Sequence, residues 1–341
     1  MSESTAGPGA RWTRLTDRLP AARIADVTLR GSGQVMFQAN ALTGLLFLVG
    51  IGYGAIAADS PQVVIGALIG LVVSTLTALA LQPDTSTMRA GLYGYNGILV
   101  GAALPTFLAD NAWLWPYVVV GAAASTVAFM ATARVFKTWG VPALTFPFNL
   151  VNWVLLLGAF KFAALDTNPL GDAHLPTDGA TNDAAAYVDV TASWLLEVLF
   201  KNVAQVFLIN NWVTGVIFVV AIAVSSLTAA ALALAGSAVA IGVSLALGAP
   251  AVDIGNGIYG FSAVLTAIAL GCVFYTPGPR VLAYALLGVV TTVIFHAGLA
   301  TLLAAWALPA GTGPFVFATW LFLLAKKKFR PVHHETLPVD G

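Results

Sequence analysis

Beyond residue 40 the chain is a succession of apolar runs separated by brief polar or proline-bearing breaks. A membrane span needs about 20 apolar residues. Ten runs come near that length: 41–58, 62–82, 94–110, 112–133 and 147–165, then 212–228, 229–249, 260–275, 281–307 and 314–326. The pattern predicts about ten transmembrane helices and no strands. Two more segments, Arg23–Gln34 and Ser193–Gln205, amount to about three helical turns each, too short to cross, and both end at a glutamine. They are expected to be re-entrant half-helices, which membranes accept only where they are buried in protein or line a wet cavity. The bland alternative is a pair of amphipathic surface helices.

The breaks between runs occur twice. Gly91-Leu-Tyr-Gly-Tyr-Asn-Gly-Ile-Leu99 returns as Gly257-Ile-Tyr-Gly-Phe-Ser-Ala-Val-Leu265, and Pro142-Ala-Leu-Thr-Phe-Pro-Phe148 as Pro309-Ala-Gly-Thr-Gly-Pro-Phe315. Gln34-Val35 with Asn40, Thr43 and Gly44 matches Gln205-Val206 with Asn211, Thr214 and Gly215. The offsets are 166, 167 and 171 residues, so motif order is kept. Each half holds five predicted spans, an odd number, so the second half is expected to be inverted relative to the first. The expected organisation is a tail over 1–20, a first repeat over 21–165, a linker over 166–190, a second repeat over 191–327 and a tail over 328–341. Duplicated breaks in a hydrophobic chain point to a pathway between the halves near the bilayer midplane.

Each proline removes a helical donor and disfavours helix in the residue before it. Prolines bracketing Thr145 and Thr312 should therefore expose carbonyls and a hydroxyl at matching depths. A lone membrane threonine usually bonds its own backbone; its repetition between prolines favours a functional role. Tyr95 with Leu99, and Phe261 with Leu265, are spaced i, i+4 and share a helix face. That face is expected to be an apolar wall of the pathway. Thr43 falls in a span but outside it.

Composition agrees with a membrane protein. Of 341 residues 59% are hydrophobic and 9% charged, against roughly 25% charged in soluble domains. A net charge of zero offers nothing to nucleic acid, and the single cysteine, Cys272, supplies neither a disulfide framework nor a CxxC motif. The polar N-terminal stretch, with five arginines and no apolar segment, argues against a cleaved signal. With both termini cytoplasmic, thirteen of the fifteen Lys and Arg fall inside, while residues 166–190, with five aspartates and no Lys or Arg, are extracellular. Lys161 and Lys201 are the exceptions, and Lys201 is spaced to pair with Glu197.

Ion-coupled carriers keep costly ionisable groups inside, and the predicted spans hold few. His296 is the only histidine in one of them and reads as structural. No P-loop, metal-ligand cluster or paired carboxylates point to an enzyme, a metal or a cofactor.

At the duplicated motifs the chain resembles the urea transporter family, over roughly residues 21–327. The resemblance implies passive conduction of urea across the cell membrane, and a homotrimer whose protomers each hold a pore. Carried over by position, Gln34 and Gln205 begin two oxygen ladders, with Val35 and Val206 beside them. Thr145 and Thr312 form the centre, and Phe37, Tyr95, Leu99, Val206, Phe261 and Leu265 are walls. Tyr95 stands where many relatives have Phe, and Leu208 is the repeat counterpart of Phe37, so the two ends differ. The alternatives are a channel for a short amide, ammonia or water, and an ion-coupled transporter.

Overall fold

The computed structural model describes residues 18–81, 86–167 and 189–325, together with Trp12, Leu15 and Thr16. Most of the predicted linker, with Asp178, and the cationic run Lys326–Arg330 lie outside the described residues. Among the described residues the regular structure is helical, apart from one isolated bridge between Leu108 and Thr167.

The first half contributes α1 (Pro20–Gln34), α2 (Ala41–Ala57), α3 (Pro61–Leu81), α4 (Ser86–Arg89), α5 (Gly94–Phe107), α6 (Leu114–Lys137) and α7 (Phe146–Ala159). The second contributes α8 (Ala192–Ala204), α9 (Trp212–Ser225), α10 (Leu227–Ala246), α11 (Ala251–Gly255), α12 (Phe261–Ile268), α13 (Pro279–Ala304) and α14 (Gly313–Leu324). Every element from α8 onward answers the element seven places earlier.

Helices α3, α6, α10 and α13 are long and apolar enough to cross a membrane alone, and α8 with α9, bent by 75°, is a fifth candidate if taken as one span. The remaining apolar helices are shorter than the runs that predicted them. Helix α7 has 14 residues, about 21 Å of rise, against a hydrocarbon core of about 30 Å. It ends at Ala159 although the apolar run continues, because hydrophobicity alone does not mark a helix end. Helix α12 passes into a π-helical turn over Ala269–Val273, where its counterpart α5 carries Pro105.

The half-helices stop in the same way. Phe37 (φ 63°) and Leu208 (φ 61°) are left-handed, an uncommon conformation for a side-chain-bearing residue. Asn40 then caps α2, its Oδ1 accepting from the backbone of Leu42 and Thr43, and the Asn211 carboxamide oxygen accepts from Thr214 at the start of α9. The repeated glycines fix how each half-helix lies on the helix after it. A Cβ on Gly44 would sit 1.8 Å from the Leu29 carbonyl oxygen, and one on Gly215 1.9 Å from that of Phe200. Each half-helix also carries an i, i+4 ion pair, Asp26–Arg30 at 2.6 Å and Glu197–Lys201 at 3.8 Å.

The halves meet through reciprocal contacts. Thr43 Oγ1 donates to the Ala221 carbonyl (2.8 Å) while Thr214 Oγ1 donates to that of Gly50 (3.0 Å). Trp153 Nε1 donates to the Pro309 carbonyl (2.9 Å) and Trp320 Nε1 to that of Pro142 (2.8 Å). Phe47 packs on Phe218, its own counterpart, with ring centroids 5.0 Å apart. Both rings belong to one apolar core that runs through the two halves. Outside, large apolar side chains such as Ile56, Leu227 and Leu247 are exposed, as a lipid-facing surface requires.

Candidate functional site

Prolines determine where the two central threonines sit. Thr145 and Thr312 are the residues just before α7 and α14, and a proline follows each within the first two helical positions, where its missing N–H costs no intrahelical bond. Leu144 (φ 52°) and Gly311 (φ 54°) turn the chain just ahead of them. The two hydroxyls, 167 residues apart in sequence, lie 2.6 Å from each other in a buried hydrogen bond.

Asn149, one turn into α7, organises this pair. Its Nδ2 donates to the Thr145 carbonyl (2.9 Å) and to Thr312 Oγ1 (3.0 Å), and its Oδ1 accepts from the Thr312 backbone N–H (3.0 Å). Thr312 Oγ1 therefore serves two partners. Among the described residues Thr145 Oγ1 serves only one, which leaves it more spare hydrogen-bonding capacity. The carbonyls expected to be free at the breaks are largely taken: those of Pro142 and Pro309 by Trp320 and Trp153, and that of Leu144 by the Tyr95 hydroxyl.

The glutamines that end the half-helices are held alike. Gln34 Nε2 donates to the Ala90 carbonyl (2.9 Å) and Gln205 Nε2 to that of Asn256 (2.8 Å). A carbonyl partner must face the amide nitrogen, so each Oε1 is left as an acceptor. Two such oxygens and the hydroxyl pair supply acceptors for N–H donors.

A cavity of about 590 Å³ opens on the Gln205 side, lined by Gln205, Val206, Leu208, Phe261 and Thr312 among others. Thr145 is tied to it through Thr312. Thr106, Phe107, Phe148 and Asn152 of the first half also line it, but none of the first-half residues expected at the slot does. Phe37 instead packs edge-on against Phe274 (5.9 Å) and Phe315 (6.0 Å), so a phenyl ring occupies the position where the other half has Leu208. Tyr95 stacks edge-on against Phe129 (5.6 Å). Val35, Leu99 and Leu265 are buried in the apolar core, and none of them borders the cavity. Among the described residues no group of His, Cys, Asp or Glu side chains is placed to hold a metal.

A family model described as "Urea transporter" matches residues 25–327. The chain belongs to the urea transporter family. Similar curated members are urea transporter 1 of Ovis aries and of Capra hircus, each 34% identical over 94% of this chain and 81% of the relative. The Rattus norvegicus protein of the same name is 33% identical over 92% of this chain and 80% of its own length. The matched region contains most of the first half-helix, all of the second, both threonines and the cavity. Within this family member, Asn149 escaped the reading of the sequence because its counterpart is Val316. Its position one turn after Thr145 was the available signal.

Proposed function

We propose that this chain carries urea passively across a cell membrane, through a slot between its two halves, and that it is not an enzyme. The observation that bears most weight is the buried Thr145–Thr312 pair between two proline breaks, with a free glutamine oxygen presented by each half-helix. Urea is planar and neutral and carries N–H donors along its edges. Losing water costs it several kcal/mol unless those donors find acceptors. Hydroxyl and carboxamide oxygens supply them, while Val206 and Phe261 offer flat apolar faces. An ion gains too little there to give up its hydration, and shallow sites let the solute leave.

The same reading takes the halves as inverted repeats crossing ten times. The reciprocal bonds Thr43–Ala221 and Thr214–Gly50 support it, because a two-fold relation pairs residue i with j and j with i. It keeps the repeats at 21–165 and 191–327, the slot residues Gln34, Val35, Phe37, Tyr95, Leu99, Thr145, Gln205, Val206, Phe261, Leu265 and Thr312, both termini cytoplasmic, and a homotrimer in the lipid bilayer. Stopped-flow uptake into proteoliposomes tests the function. Urea should move down its own gradient and ignore imposed proton and sodium gradients; acetamide, ammonia and glycerol run beside it report selectivity. Dependence on either ion gradient, or no urea flux, overturns the reading.

A further inference from the structure

The cavity has a second polar side that the slot does not use. Asn152 on α7 and His296 on α13 both line it, and they are only 1% and 3% exposed. In each, one side-chain atom, Asn152 Oδ1 and His296 Nδ1, is buried without a hydrogen-bond partner. Other buried polar atoms among the described residues also lack partners, but none of their residues borders the cavity. Buried polar groups are rarely left unpaired; two such groups on residues that line one cavity point to a partner that arrives from outside.

The two halves differ at both positions. The counterpart of His296 is Phe129, which packs edge-on against Tyr93 and Tyr95, both at 5.6 Å. His296 sits in the same setting, against Tyr259 at 4.9 Å and Phe261 at 5.9 Å. A phenyl ring meets the packing demand there, as the first half shows. The imidazole adds two ring nitrogens among aromatic neighbours. The counterpart of Asn152 is Thr319, which does not line this cavity.

We propose that Asn152 and His296 form a holding site for a planar solute that carries both N–H donors and a carbonyl, present on the Gln205 side only. The Asn152 carboxamide oxygen accepts from an N–H of the solute. A neutral imidazole has one donor and one acceptor nitrogen, and so meets either the carbonyl oxygen or a second N–H. Urea has both groups, so this site deepens the conduction reading and rests on it.

The test combines flux with a direct view of the ring. Urea uptake is measured against urea concentration for the native protein, His296→Phe, His296→Gln and Asn152→Thr. Phe and Thr are the residues the other half carries. His296→Phe and Asn152→Thr should each raise the half-saturating concentration roughly threefold to tenfold, the loss of about one hydrogen bond. His296→Gln, which keeps a neutral donor and acceptor, should stay near the native value. In ¹⁵N-histidine-labelled native protein, the imidazole resonances missing from His296→Phe should shift as urea is added below denaturing concentrations. Resonances that urea leaves unmoved overturn the site, whatever the variants do to flux and even if they fold poorly. A native protein whose His296 responds to urea but which carries none overturns the conduction reading and leaves the site standing.

Discussion

Thr145 and Thr312 are equivalent by repeat but not by surroundings, since only Thr312 Oγ1 also accepts from Asn149. Thr145→Val keeps the shape and removes the hydroxyl with more spare capacity. A neutral hydrogen bond is worth about 0.5–1.5 kcal/mol net, so urea flux should fall roughly two- to tenfold while the protein stays folded. Thr291→Val is the matching control, because that exposed hydroxyl bonds only its own helix at Leu287. Thr43 would serve poorly, since it bridges the halves. Asn149→Leu has a different effect: it leaves the buried Thr312 N–H unpaired, a cost of about 1–3 kcal/mol. Its melting temperature in detergent should fall below that of either threonine variant. Unchanged melting would show that the Thr312 N–H finds another acceptor. The threonines were legible in the sequence because duplication marked them between prolines. Asn149 was not, because its counterpart, Val316, makes it a departure from the repeat.

At the scale of elements, the pairing of each half-helix with the next helix depends on two glycines. A Cβ on Gly44 or Gly215 would meet backbone rather than a movable side chain, so α1 or α8 would have to shift bodily. Gly44→Ala and Gly215→Ala should each cost about 1–3 kcal/mol or more, seen as a lower melting temperature. Gly242→Ala, within α10 and with no atom within 4 Å of its would-be Cβ, should be neutral or stabilising by about 0.5–1 kcal/mol. Equal behaviour of all three would refute the close-approach argument. Several helix starts were readable because Pro61, Pro279 and the asparagine caps announce them. The end of α7 was not, since apolar residues continue past Ala159 without a cap. The tryptophan ties to Pro142 and Pro309 were also hidden, since they join residues more than 150 positions apart.

For the molecule as a whole, the distribution of charge implies an orientation. With thirteen Lys and Arg on the proposed cytoplasmic side, a cysteine at Asp178, introduced after Cys272→Ala, should react with an impermeant maleimide in intact cells. Lys328→Cys should react only after lysis, and the opposite pattern would invert the topology. Native mass spectrometry should find three copies per particle; monomers or dimers alone would remove the trimer.

The reciprocal ties between the halves carry a consequence for the chain's continuity. The bonds Thr43–Ala221 with Thr214–Gly50, and Trp153–Pro309 with Trp320–Pro142, are the contacts a self-pairing subunit makes across a dyad. None of them passes through the residues that join the halves in sequence. On the proposed inverted-repeat reading the protein is, in effect, an antiparallel dimer spliced into one polypeptide. Its two pieces, coexpressed as separate chains cut between Asp178 and Gly179, should find each other, copurify and conduct urea.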